Sequence, residues 1–160
     1  MIYLLDVSVL LAVCYDEHIH HMRAKSWLND LKRCEPRAGL LTCAITELGF
    51  VRIAANRNVG LAESITTARQ DLKLLQREWQ LDFVIDPLGA AHLPSWVQRP
   101  PHVTDGHLLA LASACGGRLA TLDSGIPGAL QIPDLSEGPT MVREPTIQYR
   151  VETRHPARLN

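Results

Sequence analysis

Four acidic residues, Asp6, Glu47, Asp105 and Asp123, are spread along the chain, each at the edge of a predicted element. Asp6 ends the apolar run Ile2 to Leu5, and Asp123 ends the run Arg118 to Leu122. Glu47 and Asp105 each open an apolar helical stretch. In an α/β fold, strand ends and helix starts can share one face. Carboxylates gathered there would repel each other by roughly 4 kcal/mol per pair at about 4 Å and an effective dielectric near 20. A hard divalent cation relieves that repulsion. An all-oxygen donor set without thiolates favours Mg²⁺ or Mn²⁺ over zinc. Such an ion brings its own water and polarises phosphate, which points to phosphodiester chemistry.

Each acid alone has a plainer explanation. Asp6 and Asp105 suit helix caps. Glu47 in a first helical turn complements the helix dipole. Asp123 before Ser124-Gly125 suits a turn. The joint placement carries the argument.

The elements follow from the hydrophobic pattern. Ile2 to Leu5 reads as a buried strand, and a helix follows Asp6. A second helix spans about His20 to Leu31, with Ala24, Trp27, Leu28 and Leu31 on one face. Leu40 to Ala44 reads as a strand, and a third helix starts near Thr46. The fourth helix has the clearest period: Leu61, Ile65, Ala68, Leu72, Leu75 and Trp79. Leu81 to Ile85 is the next strand. Residues 86–101 are proline-rich and irregular, with one short helix near Ala90. A fifth helix, Asp105 to Cys115, stops at Gly116-Gly117. Leu119 to Leu122 and Leu130 to Ile132 complete the strands. Helices separating short buried strands predict a parallel-sheet α/β/α sandwich with helices on both faces. Ligands bind such sheets beyond the carboxyl ends of the strands.

The chain has 160 residues, 46% of them hydrophobic, enough for one domain with a substantial core. Residues 1–132 form that domain in this reading. Residues 133–160, with four prolines and few large apolar side chains, read as a tail. The net charge of -1 gives no global support for nucleic-acid binding, although a local metal site can still attract phosphate. Cys14, Cys34, Cys43 and Cys115 form no C-x-x-C pair and read as small core residues. The N-terminus lacks a basic segment, and no apolar run approaches membrane-spanning length. A soluble cytoplasmic protein with no membrane contact is expected.

The motifs resemble those of PIN-domain ribonucleases, in particular the VapC toxins of toxin–antitoxin pairs. Leu5-Asp6-Val7-Ser8-Val9-Leu10-Leu11-Ala12 is similar to the family's opening. Thr46-Glu47-Leu48-Gly49-Phe50-Val51-Arg52 is similar to its second acidic motif, and Val103-Thr104-Asp105 to its third. Gly117 to Asp123 is similar to its fourth, and the spacing His18, His21, Ala24, Trp27 also matches a recurrent pattern. The resemblance covers about residues 1–132.

It implies a Mg²⁺- or Mn²⁺-dependent endoribonuclease acting on RNA, neutralised by a cognate antitoxin. Asp6, Glu47, Asp105 and Asp123 would be catalytic, with Asp6, Asp105 and Asp123 binding the metal directly or through water and Glu47 completing the cage or orienting the attacking water. Ser8 and Thr121 would hold carboxylates or water, and Arg52 would meet RNA phosphate. A homodimer through helices three and four is also implied. Gly106, where alanine is frequent, would loosen its helix.

Other residues read more plainly. His18, His20 and His21 lack an acidic or cysteine partner at zinc spacing. His107 reads as a solvated surface side chain. Lys32, Arg33 and Arg37 read as a solvated face. A housekeeping RNA-processing nuclease would carry the same residues, whereas a catalytically silent binding module has no reason to keep four repelling acids. An aspartyl-nucleophile phosphatase lacks its second Asp at Ser8.

Overall fold

The computed structural model describes residues 1–135. Strand β1 (Ile2–Leu5) leads into helix α1 (Val7–Cys14) and helix α2 (His21–Cys34). Strand β2 (Gly39–Thr42), helices α3 (Ala44–Ala54) and α4 (Ile65–Trp79) and strand β3 (Leu81–Phe83) follow. Two 3-10 turns, Ala90–His92 and Pro100–His102, precede helix α5 (Val103–Ala114), strand β4 (Arg118–Thr121) and strand β5 (Leu130–Gln131). The sheet order is β3-β2-β1-β4-β5. Every pairing is parallel. Strand order therefore reverses at β1 and β4, and their carboxyl ends flank the crevice where such sheets bind ligands.

Strand side chains alternate between two cores. Tyr3, Leu5, Leu40 and Ala120 face a core shared with α1, α2, α3 and α4. Leu4 and Leu119 face a second core with Leu108, Leu111 and Ala112 of α5. Helices do cover both faces, but unevenly. Burial on both sides explains why the strands read as continuous apolar runs rather than alternating ones.

Several boundaries differ from the sequence reading, each for a local reason. Helix α3 starts at Ala44, because the Thr46 hydroxyl accepts the backbone N–H of Cys43 and closes the turn from inside. Helix α4 starts at Ile65, because the Ser64 hydroxyl accepts the N–H of Thr67. Leu61 packs on the core from the preceding loop, and Ile65 is exposed.

Gly106 does not loosen α5. A Cβ there would collide with Val97 and crowd Pro94. The glycine lets the proline-rich loop lie flush on the helix's first turn. Gly49 likewise lets α3 approach Val7, whose Cγ2 lies 2.7 Å from where a Cβ would stand.

Beyond β5, Arg23 Nε donates to the carbonyl of Ile132 at 3.0 Å, and Arg23 pairs with Asp134 at 2.8 Å. From Ser136 onward the expected tail lies outside the described residues. Among the described residues, no helix is long and apolar enough to cross a membrane.

Candidate active site

The site is assembled from strand ends. Asp6 follows β1 and caps α1, accepting the Val7 N–H on Oδ1 at 2.6 Å. Its own N–H donates to the Ala120 carbonyl at 3.0 Å, which ties the end of β1 to β4. Oδ2 accepts the hydroxyls of Ser8 and Thr121, each at 2.7 Å. Thr121 is fully buried at the end of β4. Its oxygen also accepts the Asp123 N–H at 3.0 Å, and Ser8 accepts the Leu122 N–H at 3.3 Å. The expected roles of Ser8 and Thr121 as hydroxyl partners thus have a concrete geometry on one carboxylate.

Asp123 is exposed, and its Oδ1 accepts the Gly125 N–H at 2.7 Å, forming the anticipated turn. Asp105 lies in the first turn of α5. Burial pushes its carboxyl above the ordinary range, and the charges of Asp6 and Asp123 push it further. His102 pulls the other way. The like-charge effect puts Asp6 and Asp123 within electrostatic reach of Asp105.

Glu47 is held differently. Its Oε1 accepts the Thr42 hydroxyl and the Gln76 amide, each at 2.7 Å. It borders a groove of about 490 Å³ between α3 and α4, together with Leu48, Arg69, Lys73 and Gln76. Glu47 is thus secured toward α4, by donors separate from those that hold Asp6.

Arg52 is exposed on α3 and shares a recess of about 240 Å³ with Thr104, the residue before Asp105. Thus Arg52, though offset from Glu47 around its helix, lies near the residue that precedes the third acid. No carboxylate pairs with it among the described residues.

No three His, Cys, Asp or Glu side chains among the described residues stand together at metal-ligating spacing. Asp6 commits both oxygens to internal donors and Asp123 commits one. The donor set fits a hard cation: it is oxygen throughout, and Mg²⁺ is normally bound by one or two carboxylates with several waters retained, so ligation in part through water suits these residues.

Sequence reasoning missed three features near the site. His102 acts on Asp105 and packs at 5.9 Å from the Trp96 ring. His107 is no solvated side chain: it is mostly buried and bonded to Asp86, which anchors the loop to α5. Gln76 carried no signal beyond its place on a strongly periodic helix. The His18, His20 and His21 group makes no metal cluster, and His21 Nδ1 instead meets the Ala12 carbonyl at 2.9 Å.

The PIN domain family matches residues 3–128. Ribonuclease VapC38 of Mycobacterium tuberculosis is 38% identical over 126 residues, spanning 77% of this chain and 86% of its own length. Ribonuclease VapC39 of the same species is 36% identical over 128 residues, spanning 77% of this chain and 89% of its own length. A solved structure of VapBC2 from Rickettsia felis, bound to a DNA fragment from their promoter, superposes with a TM-score of 0.56 at 13% identity. It spans 82% of this chain and 97% of that one, and it speaks for the fold alone. PIN-domain ribonucleases are, as a class, divalent-metal dependent. Matched motifs, matched sheet and near-complete overlap with these relatives lead to one assignment: this chain belongs to the PIN-domain family, among its VapC ribonucleases.

Proposed function

We propose that this protein is the toxin of a toxin–antitoxin pair, an endoribonuclease that hydrolyses RNA phosphodiesters. The observation that carries the reading is the placement of Asp6 and Asp123 at the ends of adjacent strands β1 and β4, at the strand-order reversal, joined through the Thr121 hydroxyl. Asp6, Asp105 and Asp123 would hold Mg²⁺ or Mn²⁺, in part through water. When bound, the ion supplies charge neutralisation and an acidified water.

The protein's own groups do the positioning. Ser8 and Thr121 fix Asp6 Oδ2, so the carboxylate keeps one rotamer. Glu47 offers Oε2 to orient the attacking water and accept its proton. Attack in line on phosphorus breaks the bond to the 3′ oxygen, which leaves as a hydroxyl once protonated and leaves a 5′-phosphate on the other fragment. Arg52 and Thr104 take a neighbouring backbone phosphate at the rim, where an arginine fork suits phosphate oxygens.

The antitoxin, a separate protein, covers the acidic face and contributes a basic side chain to it. Two copies of the chain pair through exposed apolar positions of α3 and α4, among them Leu48 and Ile65. The reaction takes place in the cytoplasm, where RNA is available and the four free cysteines stay reduced. Residues 1–132 carry the activity, and residues 133–160 are an appendage to it.

The test is cleavage mapping on total RNA with and without Mg²⁺. The wild type cuts only with metal. Asp6→Asn and Asp123→Ala lose at least roughly 100-fold in rate, the loss expected when several kcal/mol of charge stabilisation disappear. Circular dichroism should show both variants folded. Metal-dependent cleavage by Asp6→Asn at the wild-type rate overturns the reading.

A further inference from the structure

The motif that marks Glu47 says nothing about what holds it. Both donors to its Oε1 come from outside the acidic motifs. Thr42 is the last residue of β2 and is fully buried. Its backbone carbonyl accepts the Val84 N–H at 2.8 Å, so the hydroxyl springs from a pinned position. Gln76 comes from α4, 29 residues further along the chain. Leu72, Leu75 and Trp79 of the same helix are buried, which fixes the rung from which Gln76 reaches. An ionised carboxylate only accepts hydrogen bonds, so the Gln76 amide must present its NH₂ group to Glu47.

Two donors on one oxygen have a definite consequence. The carboxylate plane is fixed, and the rotational freedom of a long acidic side chain is removed before any substrate arrives. Among the described residues, no side chain or backbone donor bonds Oε2.

We infer that Gln76 and Thr42 are positioning residues for Glu47, which clamp Oε1 and leave Oε2 as its working oxygen. The inference rests on the reading of Glu47 as part of the acidic site. It joins α4, a helix with no acid of the quartet, to the chemistry.

The experiment uses the full chain with five substitutions: Gln76→Leu, Thr42→Val, Thr42→Ser, Glu47→Gln and Asp6→Asn. Mn²⁺ binding is read directly from the spin resonance signal of the free ion. RNA cleavage gives kcat and KM, and a melting curve confirms folding. Gln76→Leu and Thr42→Val should each weaken Mn²⁺ binding or lower kcat by roughly 10- to 100-fold, the usual cost of removing an outer partner of a metal-site carboxylate. KM for RNA should stay within about twofold, since neither residue meets substrate. Thr42→Ser keeps the hydroxyl and should recover most of the loss.

Wild-type Mn²⁺ affinity and kcat in both Gln76→Leu and Thr42→Val overturn the inference. Should Thr42→Val fail to fold, Gln76→Leu decides alone. If Glu47→Gln is impaired while Gln76→Leu and Thr42→Val are not, the site assignment stands and only the clamp falls. If Glu47→Gln is silent while Asp6→Asn is dead, Glu47 leaves the site and the clamp falls with it.

Discussion

The candidate acidic residues fall into two groups held by different means. On one side, Asp6 and Asp123 stand at the ends of adjacent strands β1 and β4. Backbone register brings them together, and short side chains from the same strand ends and first helical turn, Ser8 and Thr121, hold Asp6. On the other side, Glu47 stands on a helix, held by Thr42 at the end of β2 and Gln76 across the α3–α4 interface. The strand half is rigid because the sheet is rigid. The helix half depends on how two amphipathic helices pack. Asp105 belongs to neither: it stands in the first turn of α5, beside the glycine against which the loop packs.

The largest expected effect tests the strand half. Thr121→Val removes a donor to Asp6 and strands the Asp123 N–H, so kcat on an RNA substrate should fall by roughly 10- to 100-fold. Ser8→Ala should cost less, under about tenfold, because Ser8 is only half-buried, so water can replace its hydroxyl, whereas Thr121 is fully buried. Equal losses would mean that burial gives Thr121 no advantage in holding Asp6.

Gly106→Ala tests the loop. The added methyl meets Val97, and urea unfolding should show a loss of about 1–3 kcal/mol, the usual range for overpacking. Activity should drop further than stability explains, because the neighbouring residue is Asp105. A variant as stable and active as wild type would show that the loop is free to move aside.

The smallest effect is a pH signature of the loop anchor. Burial raises the Asp86 carboxyl, but the bond from His107, the Leu88 N–H and the His107 charge outweigh it and leave it below the ordinary 3.8. A depressed carboxyl adds stability above 3.8 that disappears as pH falls through the lowered value. Asp86→Asn should therefore melt below wild type at neutral pH, and the gap should close as pH falls past 3.8. A gap that persists in acid would assign the loss to packing instead.

Much of the strand half was legible in the chain itself. Asp6 and Asp123 each follow an apolar run, and a parallel sheet gathers strand ends on one edge. Ser8 and Thr121 sit two residues from an acid, close enough for local geometry to suggest their role. The helix half was legible only as a carboxylate. Gln76 looks like any polar residue on the outer side of a periodic helix, and its partner lies 29 positions away. His107 looked solvated because its partner, Asp86, sits in an irregular loop 21 positions upstream. Gly106 looked like a weakness because the side chain that needs the space, Val97, belongs to the same loop.

The amino-acid order by itself determined the alternation of strands and helices and the sites where acids interrupt them. Those properties follow from periods of two and 3.6 residues and from nearby caps, which operate within a few positions. Tertiary packing alone decided that Gln76 secures Glu47, that Arg52 borders Thr104, and that the charges of Asp6 and Asp123 reach Asp105. Contacts of that kind depend on how whole elements rotate and seat against each other, and local periodicity does not encode that rotation.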